Sequence, residues 1–399
     1  MLTQRRQADL VSLVATAAAE AGAPRGGATA PNGQGGALTP AVQRPQGQPG
    51  RRGARRNALV LTGLGLLLLA AAVVAAMIGE TVYGPGVVAA VVARHLFGLP
   101  LAGDPFVDTI VWLDRVPRIA TAILVGACLA AAGAAFQGLF RNPLADPAIV
   151  GTSAGAAAGA ILALLLPLGE TVLGFSVVSL AAFGGATAAV FLVIVLGRVG
   201  GRAPTAGLLL AGFAVSALLN AGSALAMALS AQVRQMQFWL LGSLELTTPG
   251  QLTVVAPAMV VGLALLQALA WDLNVLLLGD EHAAYLGLRV ARRRLAVLLV
   301  GSLLTGLAVS ISGLIGFVGL IVPHIGRLLF GANHRLLLPA SALLGGAFLL
   351  AADTLVRIIL YLPIGAGTEL PVGVITALTG APWFLWLLRR GTRREGGYL

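Results

Sequence analysis

Lysine is absent from this 399-residue sequence, in which all 26 basic residues are arginine. That excludes a Walker A lysine, a Schiff-base lysine and any lysine general base, so the chain has no phosphate-binding loop of its own for nucleotide hydrolysis. Cysteine is nearly absent as well. Cys128 stands alone in a hydrophobic segment, which leaves no internal disulfide and no cysteine metal site. Charge is scarce: 10% of residues are charged and 58% are hydrophobic, against about 25% charged in an ordinary soluble domain. His282 and His324 lack a second ligand at metal spacing, so structural roles and no metal site are expected. The net charge of +11 is dispersed among loop ends instead of forming one basic face, which argues against a nucleic-acid partner.

These shortages define an all-α, polytopic membrane protein. Crossing a bilayer takes about 20 apolar residues per helix. The sequence supplies ten candidate spans, near 58–79, 118–139, 150–167, 176–197, 205–229, 250–271, 295–313, 314–330, 336–360 and 371–388. An even number of crossings puts both termini on one side. All arginines except Arg94, Arg115, Arg118, Arg234 and Arg357 then fall on that side, which the positive-inside rule makes the cytosol. Residues 1–56, rich in Gly, Pro, Gln, Ala and Arg and without aromatics, read as a disordered cytosolic arm. Asp9 and Glu20 interrupt the only run that would serve as a secretory signal. The transmembrane domain is expected over 57–390, with 391–399 a cytosolic tail. Within the eighth span, Gly316, Gly319, Gly326 and Pro323 predict a short or broken helix buried in the bundle.

The charged break at 272–294 must lie in water, because Asp272, Asp280, Glu281, Arg289, Arg292, Arg293 and Arg294 would each cost several kcal/mol in the bilayer core. Gly279 and Gly287 punctuate it, and Ala283, Ala284, Leu286 and Leu288 supply an apolar face, so two small helices are expected. Periodicity alone leaves open a partner-docking helix or a plain solvated turn. The fifth span carries Gly212, Ser216, Asn220, Ser223 and Met227 at spacings of three and four, and the last carries Gly373, Thr376 and Gly380. Such stripes face protein or water, not lipid, and fit helix packing or the lining of a path equally well.

The most specific run is Arg115–Gly159, with RVPR at 115–118, Gln137, and RNPLADP at 141–147. Further on come LLLAG at 208–212, GDEHAAYLGL at 279–288, SGLIGFVGLIVPHIGRLLFGANHRLLLP at 312–339, AADTLVR at 351–357 and LPVGVITALTGAPWFLWLL at 370–388. In these motifs and their order, residues 58–390 closely resemble the FecCD-type permease subunits of binding-protein-dependent ABC importers for iron siderophores, haem and cobalamin. The long arm before residue 57 departs from that pattern.

The resemblance implies a type II importer permease of ten helices in which inverted repeats relate helices two to five with seven to ten. It implies four kinds of partner: a second permease subunit, identical or homologous; two cytosolic ABC ATPases; an extracytoplasmic substrate-binding protein; and the lipid of a prokaryotic cytoplasmic (inner) membrane. No cofactor is expected on this chain, since ATP is bound by the partner ATPase, and the chain is expected to be a transport subunit, not an enzyme. Matching positions assign ATPase coupling to Gly279, Asp280, Glu281, Ala283, Leu286 and Gly287, and the inner gate to Asn142, Leu144 and Thr205. Gly212, Ser216, Asn220, Ser223 and Thr376 are then candidates for the pathway lining, and Arg115, Arg118 and Arg357 for binding-protein docking. Ferric siderophore is the expected cargo, with cobalamin and haem as alternatives. A proton- or sodium-driven carrier would need ionisable residues near mid-membrane in paired broken helices, and none is evident; nor is any catalytic cluster that would mark a membrane enzyme.

Overall fold

The computed structural model describes residues 51–79, 81–98, 104–166, 171–172, 175–198, 204–244, 247–360 and 370–395. The helices are α1 (Arg51–Met77), α2 (Pro85–Phe97), α3 (Pro105–Asp108), a π-helical stretch (Thr109–Arg115) that runs into α4 (Val116–Leu139), α5 (Thr152–Leu165), α6 (Val177–Leu196), α7 (Thr205–Ala228), α8 (Val233–Leu240), α9 (Pro249–Ala268), α10 (Ala270–Leu276), α11 (Asp280–Tyr285), α12 (Val290–Ser312), α13 (Val318–Phe330), α14 (His334–Leu360) and α15 (Val372–Glu395). Every expected span meets a helix: α1, α4, α5, α6, α7, α9, α12, α13, α14 and α15 in turn. Among the described residues, seven helical stretches are long and apolar enough to cross a membrane. α5 and α13, at 14 and 13 residues, are shorter, reaching only about 20 Å at about 1.5 Å per residue.

The expected arm lies outside the described residues up to position 50, and its last residues are helical instead, since α1 begins at Arg51. Arginine and alanine are good helix formers, and an adjoining apolar helix spares them the cost of nucleation. The tail beyond residue 395 lies outside the described residues too. Spacing missed α2, which starts with Pro85 in its first turn and stops at a left-handed Gly98. It also missed a two-residue hairpin in which Thr171 pairs with Ser176.

α4 is the centre of the bundle, packed against α1, α9, α12, α13 and α14. Every residue from Val125 to Leu139 is buried. A helix surrounded on all sides by others needs small side chains where backbones meet, because lipid supplies no hydrophobic drive and packing alone holds the helices. Gly126 meets Gly345 of α14 so closely that a Cβ at either would overlap the other's carbonyl oxygen. Gly133 meets the Gly319 carbonyl of α13 in the same way.

The eighth span is short, as its glycines and proline predict, and irregular backbone at 313–317 precedes α13. Pro323 has no N–H for the carbonyl four residues back, that of Gly319. Gln137 of α4 fills the gap: its Nε2 donates to the Gly319 carbonyl at 3.4 Å and to Leu320 at 3.1 Å, while its Oε1 accepts from Arg327 Nη2 at 2.8 Å. At the C-terminal end of α12, where the irregular stretch begins, the Ser312 carbonyl accepts from Ser243 N at 2.8 Å and the Ile311 carbonyl from Thr247 Oγ1 at 2.8 Å. Irregular backbone inside a membrane bundle is tolerated where protein groups satisfy it in this way.

Gly126→Leu should destabilise the folded protein by about 1–3 kcal/mol or prevent its accumulation, since extra methylenes have no space there. Gly63→Leu should not, because nothing lies within 4 Å of a Cβ at that position. Thermal unfolding of the two variants in detergent checks this, and equal loss in both would mean that the α4–α14 contact is not limiting.

Candidate functional site

At one end of the bundle, the three arginines expected to face a binding protein turn inward instead. Arg115 and Arg357 are 3% and 6% exposed. Arg115 Nη1 donates to the carbonyls of Ala76 (2.8 Å) and Met77 (3.3 Å) and Nη2 to that of Thr81 (2.7 Å), with its guanidinium over the Tyr83 ring. Arg357 Nη1 donates to the carbonyls of Ala75 (3.0 Å) and Ile78 (2.9 Å). The last carbonyls of a helix lack intrahelical donors and carry its negative pole. Two guanidiniums therefore cap α1. Asp353, fully buried, accepts from Arg118 Nε at 2.8 Å and lies 3.2 Å from Arg357 Nε, which ties α4 to α14. Arg115 and Arg118, three apart in sequence, go to different partners. These arginines bind helices together from inside, and a role as exposed docking cations does not fit their burial.

The opposite end carries the charged break. Gly279 (φ +108°) and Gly287 (φ +80°) bracket α11 in backbone conformations that favour glycine. Tyr285 is 89% exposed and Leu286 59%. Ala283, expected on the same docking face, is fully buried, and its carbonyl accepts from Leu288 N. With six residues α11 has two distinct faces, and the apolar positions divide between them: Ala283 and Leu288 inward, Ala284, Tyr285 and Leu286 outward.

Asp280, the first residue of α11, carries the densest charge contacts of this end. Its carboxylate accepts from Arg141 Nη2 at 2.6 Å and from Arg294 Nη2 at 2.8 Å. Burial would raise its pKa, but the Arg294 and Arg141 guanidiniums outweigh that and hold it below the usual carboxylate range. Arg141 Nε also donates to the Leu276 carbonyl at 3.0 Å. Asp272 pairs with Arg293 at 3.3 Å. Sequence reasoning counted Arg141 and Arg294 only as cytosolic charges; the one available signal was that Arg141 opens the RNPLADP motif.

Of the expected gate residues, Asn142 closes its own turn, Oδ1 accepting from Leu144 N at 2.9 Å. Asp146 Oδ1 accepts from Ala148 N at 2.8 Å and starts the turn before α5. Thr205 lines a cleft of about 510 Å³ with Arg141, Gly279, Asp280, Glu281 and His282. The structure thus brings Thr205 and three of the six residues expected to couple to an ATPase, Gly279, Asp280 and Glu281, around one space, with Asn142 and Leu144 in the adjoining loop; Ala283, Leu286 and Gly287 lie outside it.

The candidate lining residues separate. Asn220 is exposed and Ser216 half-buried on α7, whereas Ser223 is buried. Gly212 seats against the Ile149 carbonyl, and Thr376 is fully buried, donating to the Gly373 carbonyl at 3.0 Å. Gly373 in turn abuts the Leu241 carbonyl and Gly380 the Phe317 ring. The stripe of α15 is therefore helix packing, as is the Gly212 end of the α7 stripe. Much of α7 beyond it, including Leu210, Phe213, Leu218 and Leu225, is uncovered in this chain.

Residues 54–390 match the FecCD transport family. The chain is 48% identical over 306 residues to the cobalamin import system permease protein of Halobacterium salinarum, covering 76% of this chain and 79% of that protein. It is 42% identical over 295 residues to the hemin transport system permease protein of Yersinia pestis, covering 72% and 85%. It is 36% identical over 348 residues to the vitamin B12 import system permease protein of Klebsiella pneumoniae, covering 85% and 96%. A solved structure of a metal-chelate type ABC transporter in an inward-facing conformation superposes with a TM-score of 0.70 at 32% identity, covering 84% of this chain and 99% of the other.

The two aspartates should differ sharply on mutation. Asp353→Asn removes the buried carboxylate that Arg118 and Arg357 share and should cost about 3–5 kcal/mol. Asp280→Asn removes a half-exposed partner and should cost no more than about 1 kcal/mol. Unfolding midpoints of the purified variants check this; an Asp353→Asn midpoint equal to wild type would mean that the buried cluster does not hold α1, α4 and α14 together.

Proposed function

Because the chain belongs to the FecCD transport family of ABC-importer permeases, we propose that it carries a metal chelate across a prokaryotic cytoplasmic membrane with both termini in the cytosol. It works as one of two permease subunits, identical or homologous, on two cytosolic ATPases that bind and hydrolyse the ATP. An extracytoplasmic binding protein delivers the cargo. The observation that carries the coupling role is the exposed Tyr285–Leu286 tip of α11, bracketed by Gly279 and Gly287 and displayed beside the cleft that Thr205 lines. A short ordered helix presenting an aromatic and a leucine to water is suited to a pocket on a cytosolic partner.

Asn142, Leu144 and Thr205 then form the inner gate, and Asn220 and Ser216 on the uncovered side of α7 line the path, with the second subunit completing its wall. At the opposite end, Arg115, Arg118 and Arg357 support the docking surface from beneath by holding α1, α4 and α14, and the binding protein is received on the α2 and α3 surface above. For cargo, cobalamin is the first choice, since relatives at 48% and 36% identity are named for it. Haem follows from the Yersinia relative. Ferric siderophore, the expectation from motifs alone, remains within the metal-chelate class that the solved structure's description names.

Reconstitution in proteoliposomes with the cognate ATPase and binding protein tests this reading: ATP should drive uptake of cobalamin in preference to haemin or a ferric siderophore. Uptake driven by an ion gradient without the ATPase would overturn it in favour of secondary transport. Leu286→Asp should leave the permease folded and weaken ATPase association by about 2 kcal/mol, roughly thirtyfold, whereas Ala283→Asp should impair folding itself. Unchanged association in a folded Leu286→Asp variant would remove α11 as the docking element.

A further inference from the structure

We propose that Asp280 is a positioning residue through which movement of α11 reaches the gate loop at 141–147, with Arg141 as the receiving group. The inference rests on the permease reading above, since it needs α11 to be moved by an ATPase. One carboxylate holds two elements distant in sequence: Arg141, at the exit of α4, and Arg294, in the second turn of α12. The two limbs are unequal. Arg294 is 12% exposed and Arg141 41%, so the first references α11 to the bundle and the second is the limb that water can loosen.

Arg141 is suited to receive such a movement. It has φ +50°, a left-handed conformation that a residue with a Cβ adopts with difficulty, so its side-chain contacts bear on whether that turn is held. Its guanidinium reads both short helices, Asp280 of α11 through Nη2 and the Leu276 carbonyl of α10 through Nε. The next residue, Asn142, accepts from Leu144 N and makes the loop a stiff unit. A shift of Asp280 therefore passes through one side chain into the backbone of Asn142–Leu144, which follows directly on Arg141 in the wall of the cleft that Thr205 also lines. An acidic residue at the start of α11 would be favourable for the helix alone. That reading accounts for neither Arg141 nor its left-handed turn.

The test uses the assembled importer in proteoliposomes with Asp280→Asn, Arg141→Gln, the double variant and Asp280→Glu. Each single variant should retain its ATPase and hydrolyse ATP, yet import about fivefold less cargo per ATP, and the double variant should be no worse than either single because both remove one link. Asp280→Glu should recover part of the ratio. A cargo-independent readout is the reaction of Leu144→Cys, in a Cys128→Ala background, with a water-soluble thiol reagent: its rate should change with ATP in the otherwise unmodified chain and cease to do so with Asp280→Asn. A probe that responds to ATP in a complex that imports no metal chelate would overturn the cargo reading and support the link. Unchanged cargo per ATP in the singles, additive losses in the double, or ATP-sensitive labelling that survives Asp280→Asn would each overturn the link.

Discussion

Backbone-to-backbone contact along α4 is the constraint on which the rest depends. Gly126 against Gly345 and Gly133 against Gly319 set how near α14 and α13 can lie. In lipid, association rests on packing and on interhelical hydrogen bonds, so a methyl group at such a contact separates whole helices. Once α4 is enclosed from Val125 to Leu139, its few polar atoms must be satisfied by neighbours, and Gln137 meets this by supplying the donor that Pro323 lacks.

The same requirement organises the arginine end. The terminal carbonyls of α1 want donors and the buried Asp353 wants cations, and Arg115, Arg118 and Arg357 serve both needs together. Buried ion pairs add little net stability over apolar packing, but breaking one is costly, which makes them good at enforcing a particular arrangement. At the other end the ion pairs of Asp280 are half in water. There the contribution to stability is small and geometry is what the contacts provide.

A rigid interior with one firmly tied end and one loosely tied end suits a protein that passes force from a cytosolic partner to a gate. On the proposed reading Tyr285 and Leu286, exposed at the end of α11, receive the force, and Asp280 at its start ties the helix to Arg141 of the 141–147 loop and to Arg294. The uncovered length of α7 is consistent with a wall that a second subunit completes.

Much of the architecture was legible in the sequence because hydropathy is a local property: each expected span met a helix, and Pro323 with its glycines foretold the short α13. Turn chemistry is local in the same way: the Asn142 and Asp146 side chains each accept from a backbone N–H two residues on. What failed were statements about which way a side chain faces. Arg115 and Arg357, outward by the charge count, point inward because the carbonyls that attract them belong to α1, some 38 and 282 residues away. Ala283 and Leu286 look alike in an apolar pattern, yet only packing against the bundle buries one and exposes the other. The spans, the charged loop and the family motifs follow from the sequence by itself, since composition and spacing carry them; the partners of Arg115, Arg141, Gln137 and Asp353 were decided by tertiary structure alone, since burial and hydrogen bonding depend on groups that no local window contains.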